Sequence, residues 1–291
     1  MSNPAANHRL PAILVAGATG NQGGAVIDAL AQNRQRWEIR ALTRNPQSRK
    51  ARALNARGIE VFAGDMADAD SLKAALTGVY GVFSVQNSMT AGLEKEVLQG
   101  VTLADAAQAA GVKHLVYTSA GGADRESGIP HFETKWRIEQ HIRATGLPAT
   151  ILRPASFMEG FGAPGIQRAF GLGIFGSAVP ADKPMQMIAV PDIGIFARLA
   201  WESPDRYIGA ALELAGDELT VAQILATIRR ATGKRFVPRV PIPAALTRRM
   251  GDPGKMITWI ARDGYHANIS ALRALHPGLL GFEDWLRQHN D

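Results

Sequence analysis

The stretch "AILVAGATGNQGGAVIDAL" (residues 12–30) decides the architecture. It opens on a continuous apolar run, "AILVAGA" (12–18), that ends in small residues, the pattern of a strand buried on both faces of a parallel sheet. It closes on a helix expected from near Asn21, with Val26, Ile27 and Leu30 on one face. Between them lies "GATGNQG", in which Gly17, Gly20 and Gly23 follow the pattern GxxGxxG. Glycines here permit a tight turn and let the backbone approach a pyrophosphate, while the helix start adds unpaired N–H groups and a partial positive charge. Thr19, Asn21 and Gln22 complete the turn and join the three glycines as candidate dinucleotide ligands. A lone glycine pattern is weak and fits a purely structural strand-to-helix turn as well. This one gains weight because it follows a strand, opens a helix and begins a repeated βα pattern.

Outward from that turn the alternation continues. "EIRALTR" (38–44), "IEVFAGD" (59–65), "GVFSVQ" (81–86), "HLVYTS" (114–119) and "ATILRPA" (149–155) read as strands, with helical patterns such as "LKAAL" (72–76) and "VLQGVTLADAAQAAG" (97–111) between them. Strand–helix alternation with short connections predicts an α/β fold with a doubly wound parallel sheet. Such sheets bind ligands beyond the carboxyl ends of their strands, where the strand order reverses. Farther on, "PMQMIAV" (184–190) reads as a strand and "PDIGIFARLAWES" (191–203) as a helix with Ile193, Phe196, Ala197 and Ala200 inward. "DELTVAQILATIRRATGK" (217–234) has Thr220 and Gln223 in capping-box spacing and a helix ending at Gly233. "FEDWLRQH" (282–289) is a closing helix anchored by Phe282, Trp285 and Leu286. The glycine-rich tract 160–176 is either a mobile lid over a substrate or an irregular crossover.

The 291 residues are 46% hydrophobic and 20% charged, ordinary for a globular protein with a large core. There are no cysteines, which excludes disulfides, thiolate metal sites and cysteine nucleophiles and fits a reducing compartment. The opening "MSNPAANHRLPAILVAGATG" has no apolar signal core, and no apolar run is long enough to span a bilayer, so a cytoplasmic location is expected. No His, Asp and Glu grouping has metal-ligand spacing, so no metal is expected. Ser119 lacks a nucleophile-elbow context, which argues against hydrolysis.

The net charge is +6, and its location matters more than its sum. Arg34, Arg36, Arg40, Arg44, Arg49, Lys50, Arg52 and Arg57 face only Glu38 within the same stretch, which alone accounts for the basic balance. An NAD site would place Asp or Glu at the end of the second strand to accept the ribose hydroxyls. Here Thr43 and Arg44 stand there, and guanidinium groups attract the 2′-phosphate that a carboxylate would repel. The cluster therefore predicts NADP(H) in preference to NAD(H), with Arg44 as the main contact, and speaks against nucleic acid as the partner. Asp65, beside Met66 at the end of the third strand, either bonds the adenine amino group or caps the helix that begins near Asp68 or Asp70.

"ILVAGATGNQG", "LTRNP", "GDMADADSL", "FSVQN", "AAGVKHLVYTSAGG", "HFETKWRIEQHI" and "ILRPASFMEGF", in that order, resemble the NmrA-like family, a branch of the atypical short-chain dehydrogenases/reductases. The later "IAVPDIGIFARLAWESPDRYIGAALELAGDELTVAQI" resembles the same family's second half. The resemblance implies a Rossmann NADP-binding domain, residues 1–155 with part of 186–215 as a candidate addition, and a smaller C-terminal α+β domain, 156–291, that walls the cleft. It does not imply one function. Some members look like redox sensors, and others are NADPH-dependent reductases of quinones, dyes and related aromatic compounds.

In typical short-chain dehydrogenases a Tyr-x-x-x-Lys helix binds the nicotinamide ribose through its lysine and exchanges a proton through its tyrosine. Here "HFETK" keeps the lysine, Lys135, and places His131 where the tyrosine stands, a departure that belongs to the NmrA-like branch. The i, i+4 spacing puts both on one helix face. Lys135 is expected to bond the ribose. His131 is either a proton donor that touches substrate, since histidine titrates near neutral pH, or a wall residue at a helix end. Gln86 and Asn87 follow the fourth strand toward the ribose or amide, Ser119 takes the place of the family's usual serine or threonine, and Pro154 passes the nicotinamide ring. Phe157 and Met158 offer apolar surface to a flat substrate or else pack the core.

Two functions follow. One is an NADPH-dependent reductase of a small quinone, aromatic or unsaturated substrate, favoured by Lys135 and His131. The other is an NADP(H)-sensing regulator that binds a protein partner, favoured by the missing tyrosine. Either would act as a monomer or homodimer.

Overall fold

The computed structural model describes residues 10–162, 166–233, 235–240 and 242–289. In chain order the first half runs β1 (Ala12–Val15), α1 (Asn21–Ala31), β2 (Glu38–Thr43), α2 (Arg49–Ala56), β3 (Glu60–Ala63), α3 (Ala69–Leu76), β4 (Val79–Ser84), α4 (Ser88–Ala91), α5 (Leu93–Ala109), β5 (His114–Thr118), α6 (Pro130–Thr145) and β6 (Ala149–Pro154). The second half runs β7 (Ser156–Phe157), α7 (Glu159–Gly162), α8 (Ile166–Ala178), β8 (Met185–Ile188), α9 (Val190–Glu202), α10 (Pro204–Tyr207), β9 (Ala211–Leu214), β10 (Asp217–Leu219), α11 (Val221–Thr232), α12 (Ala244–Arg248), α13 (Asp252–Arg262), α14 (Ile269–Leu275) and α15 (Phe282–His289).

Seven parallel strands form the central sheet in the order β3-β2-β1-β4-β5-β6-β9, a Rossmann-type arrangement. The order reverses beside β1, which pairs with β2 on one side and β4 on the other. Alternation along β1 supplies both cores. Ile13 and Val15 pack with Val26, Ile27, Phe196 and Trp201 under α1 and α9, while Ala12 and Leu14 pack with Leu72, Leu103 and Ile138 under α3, α5 and α6. Both faces are thus dry, which is why the strand reads as an unbroken apolar run. Each fully buried Ile, Leu or Val contributes roughly 1.5–3 kcal/mol.

The seventh strand comes from the second half of the chain: β9 pairs with β6 from Ile151↔Ala211 to Pro154↔Leu214. A three-stranded sheet, β10-β8-β7, sits apart from it and supports a core of Met185, Met187, Ile224, Ile228, Trp259, Phe282 and Trp285. Helix α9 spans the two, leaving β8 and lying on α1. A Cβ on Gly194 would overlap the carbonyl of Ala25, so the two helices touch backbone to backbone. The helix that points at the strand ends is therefore held from behind.

Tract 160–176 is not an irregular crossover: its described residues lie in helices α7 and α8, with Leu172 and Phe175 buried in the core beside the three-stranded sheet, and positions 163–165 lie outside the described residues. Its glycines serve close packing. A Cβ at Gly162 would overlap the Trp285 ring, and one at Gly173 would overlap the Val240 carbonyl. The capping box at Thr220 and Gln223 and the left-handed Gly233 that ends α11 are both present.

Candidate functional site

The turn after β1 is built from glycine geometry. Gly17 adopts φ +63°, a left-handed conformation, and a Cβ there would stand 2.7 Å from Val85 Cγ1. A Cβ on Gly23 would overlap the Gly17 carbonyl. Gly20, extended at φ −90° and ψ 177°, is the N-cap of α1 and brings no side chain to it, so the first-turn N–H groups are left for a ligand. The Gln22 side chain is a strut: its Oε1 accepts from Thr118 Oγ1 at 2.8 Å and ties the helix start to the end of β5. Its backbone N–H and its Nε2 amide remain available. Thr19 contributes its carbonyl to Lys50 Nζ, 3.0 Å away, which joins this turn to the basic cluster.

The structure sorts that cluster. Arg40 is buried and bonds Glu38 and the carbonyls of Ala75 and Thr77. Arg34 donates to the Arg57 carbonyl, Arg57 pairs with Asp28, and Arg36 reaches the Glu202 carbonyl while lying over Trp37. These four are structural. Arg44, Arg49 and Arg52 are exposed and have no side-chain partner among the described residues. Arg49 and Lys50 occupy the first turn of α2, which holds no acidic residue, so cations face the positive end of that helix. An anion would relieve the repulsion. Thr43 Oγ1 accepts from Asn45 N at 3.2 Å and shapes the turn that presents Arg44.

Asp65 is not the cap of α3. Asp68 is, accepting from the N–H groups of Asp70 and Ser71, while Asp65 Oδ1 accepts from Ala67 N at 3.0 Å and its other oxygen lies 4.0 Å from Lys95. Met66 is half-buried, with its sulfur 3.5 Å from Gln86 Nε2.

At the ends of β4, β5 and β6 a buried polar group surrounds Lys135. Its ammonium donates to the Gln86 carbonyl and to Glu96 Oε1, both at 3.2 Å, which leaves one of three protons without a partner among the described residues. Glu96 is fully buried and also accepts from Ser88 N at 3.1 Å and from Thr134 Oγ1 at 2.5 Å. Gln86 donates from Nε2 to Ser84 Oγ at 2.9 Å, and its Oε1 is buried and unpaired. Ser119 Oγ and the Tyr117 hydroxyl are also buried without partners, and burial with Glu96 and Glu139 nearby pushes the Tyr117 hydroxyl well above its usual range. Asn87 uses its side-chain oxygen to cap α4 through Met89 N, 2.9 Å. Pro154 lies buried in β6, its carbonyl accepting from Gly121 N at 2.9 Å.

His131 finds its partner in the second half of the chain. Its Nδ1 lies 2.9 Å from Asp252 Oδ2 at the start of α13, and its ring meets Phe132 edge-on at 4.9 Å. Phe132, Trp259 and Tyr265 continue an aromatic ladder, each step 5.4 Å between ring centroids. Met158 is fully buried in the core beside the three-stranded sheet, as the packing alternative expects, and Phe157 is half-buried against the core under α1 and α9. A groove of about 420 Å³ runs between α1 and α9, lined by Asn21, Gly24, Asp28 and Pro191 with Glu159 and His289 at its end, and a cavity of about 220 Å³ lies at Tyr265, His266 and Lys183. Neither is lined by His131, Lys135 or Ser119. Trp259 and Tyr265 fill the space against Gly121 and Gly122 instead, where any Cβ would collide with their rings. Among the described residues no three His, Asp or Glu side chains gather as a metal site, and no helix is long and apolar enough to cross a membrane.

Glu96 and Asp252 escaped the sequence reading. Neither stands near a strand end, and they lie 39 and 121 residues from the side chains they bond.

The NmrA-like family matches residues 11–262 of this chain. An NmrA-like family domain-containing oxidoreductase, FrzB of Cladobotryum sp, is 32% identical over 257 residues, 79% of this chain and 76% of that protein. The NADPH-dependent quinone oxidoreductase QOR2 of Escherichia coli, solved with NADPH, superposes with a TM-score of 0.77 at 25% identity over 96% of this chain and all of that one. NmrA, a negative transcriptional regulator, shares the fold with a TM-score of 0.77 at 20% identity over 96% of this chain and 95% of that one; it has been solved with NADP and with NAD.

Proposed function

The chain belongs to the NmrA-like family, and from that premise we propose that it is an NADPH-dependent reductase of a small quinone, aromatic or unsaturated substrate, working by direct hydride transfer. The observation that carries the reading is Lys135: a lysine held at the carboxyl end of the sheet by the Gln86 carbonyl and a buried carboxylate, with one N–H still to give. The oxidoreductase name of FrzB and the NADPH complex of QOR2 support it. NmrA binds either dinucleotide, so the choice of NADP(H) rests on Arg44, Arg49 and Arg52 of this chain.

The residues present fit a dinucleotide. The cradle that a Cβ at Gly17 or Gly23 would fill, together with the uncapped α1, suits a pyrophosphate. The unpaired guanidinium groups suit the 2′-phosphate, Asp65 and Met66 the adenine edge, and Lys135 with Gln86 the nicotinamide ribose. Bound NADPH would supply a hydride to the substrate. The chain's own part is orientation and charge: the Ser119 hydroxyl and the buried Gln86 oxygen are polar groups kept from water, and in this reading His131 would give a proton to the oxygen that gains negative charge.

The test is to mix the protein with NADPH and a panel of quinones, enones and aromatic dyes and to follow loss of nicotinamide absorbance. Turnover of any class supports the reductase. A second reading, an NADP(H)-sensing regulator acting through a protein partner, draws on the way Trp259 and Tyr265 fill the space beside Gly121 and Gly122. Tight NADPH binding with no turnover across the panel favours it.

A further inference from the structure

We propose that Asp252 is the positioning residue for His131, and that the two form a dyad reaching across from α13 to α6 to aim the imidazole at the substrate oxygen. The inference rests on the reductase reading for its chemistry but not for its geometry. His131 Nδ1 and Asp252 Oδ2 are 2.9 Å apart, a hydrogen bond in which a ring N–H donates to a carboxylate. Which imidazole nitrogen carries the proton is set by the bond the other one makes. With Nδ1–H committed to Asp252, Nε2 is the nitrogen left for chemistry. It has no partner among the described residues, and it is absent from the buried unpaired atoms although the ring is only 25% exposed, so it is open to an incoming group.

The surroundings fix the pair from both sides. The His131 ring stands edge-on against Phe132, which stands edge-on against Trp259 of the same helix α13 that carries Asp252. Gly251, at φ +63°, lets the chain turn sharply into α13, and Pro253 follows in the first turn, so Asp252 sits at a defined corner. An ordinary surface pair would be worth little and would need neither the aromatic support nor the corner. Reduction of a carbonyl or quinone adds a hydride to the substrate and one proton to its oxygen. Bound NADPH would supply that hydride and be oxidised to NADP+. The proton comes from Nε2–H of the imidazolium, leaving a neutral ring with Nδ1–H still held by Asp252, and solvent restores the proton. Without Asp252 the ring is free to flip, and Nδ1 and Nε2 exchange places.

The experiment uses the full chain with Asp252→Ala, Asp252→Asn and His131→Ala, alone and combined. Nitrogen-15 NMR of the His131 ring at a pH where it is neutral should show the Nδ1–H form in the native protein, a shift toward Nε2–H in Asp252→Ala, and retention of Nδ1–H in Asp252→Asn, whose amide oxygen still accepts. This readout needs no turnover, so it stands even if the panel of substrates yields none. In turnover, Asp252→Ala should lower kcat about tenfold, leave KM and NADPH affinity within twofold, and have no further effect once His131 is alanine. A native ring already in the Nε2–H form, or an equal loss of kcat with and without His131, would overturn the dyad. A rise in KM with kcat unchanged would do the same, showing the pair to be a latch between helices. The Nδ1–H form with no substrate turned over would instead count against the reductase reading alone.

Discussion

In the proposed function Lys135 and Arg44 would divide the cofactor between them, and each makes a separate demand. Lys135 depends on Glu96, whose carboxylate is fully buried and holds the ammonium, the Thr134 hydroxyl and the Ser88 N–H together. Removing the charge from one member of such a group leaves the other buried and uncompensated, commonly at about 3–5 kcal/mol. Glu96→Gln should therefore lower thermal stability and weaken NADPH binding, and Lys135→Ala should weaken NADPH binding and slow any turnover. Pairing the two changes should cost less than their sum, read by calorimetry and by fluorescence titration. Arg44 is exposed and has no side-chain partner among the described residues, so its loss should leave stability within about 0.5 kcal/mol. NADPH is expected to bind at least tenfold more tightly than NADH, on the order of 1.4 kcal/mol, and Arg44→Ala should remove most of that gap while leaving NADH affinity alone. Equal affinity of the native protein for the two cofactors would refute the reading of the basic cluster.

At the scale of elements, what the sequence shows is what local spacing dictates. The β1 run, the glycine turn, the face of α1, the Thr220–Gln223 capping box and the closing α15 all depend on neighbours within a few residues, and each stands where the pattern put it. Glycine misled where its cause was tertiary. In α7 and α8 the glycines at 162 and 173 make room for Trp285 and Val240, far along the chain, and nothing nearby distinguishes such a glycine from a helix breaker. Charge misled for the same reason: Arg40 and Arg44 look alike in sequence, yet one is buried against α3 and the other is free. His114 is a further case, a histidine at the head of β5 with no sequence signal. Thr150 gives its one proton to the Tyr207 carbonyl at 2.7 Å, so His114 Nε2 must be the donor in its 2.8 Å bond to Thr150 Oγ1. Nδ1 is then a bare nitrogen, buried and without a partner. Burial pushes this histidine from 6.5 down to about 4. Because the unfolded chain binds the proton more readily, stability should be complete above about pH 6.5 and lost as the pH falls toward 4, by up to roughly 3 kcal/mol. Urea unfolding of native protein and His114→Gln across that range checks it. The variant should show a shallower decline, and parallel curves would mean the histidine does not titrate as the burial requires.

Over the whole molecule, Arg125 joins the parts that would have to cooperate. It leaves the loop after β5 and donates to the Gly264 carbonyl at 3.1 Å, to His266 Nδ1 at 2.8 Å and to Glu213 Oε1 at 2.8 Å, with its guanidinium 5.0 Å over the Trp259 ring. Glu213 belongs to the seventh sheet strand, and its other oxygen accepts from His266 N at 2.7 Å. One side chain thus connects the loop after β5, the strand that the second half lends to the sheet, and the segment leaving α13. Truncating it would leave Glu213, largely shielded, without its cation, a loss of roughly 3 kcal/mol or more, and would release the Trp259 face. The consequence is local before it is global. Arg125→Ala should speed amide exchange across residues 252–266 by at least tenfold while the amides of β1, β4 and β5 keep their protection, because their ladders do not pass through this contact. As α13 carries Asp252, the same variant should also loosen the His131 ring and, in the proposed function, lower turnover without changing NADPH affinity, since Arg125 bonds neither the glycine turn nor the basic cluster. Arg125→Lys, which keeps the charge but not the fork, should fall between. Uniform loss of protection over the whole sheet would show that the two halves unfold as one unit and that Arg125 is an ordinary stabilising contact. Unchanged exchange in α13 would show that the aromatic ladder alone holds this helix in place.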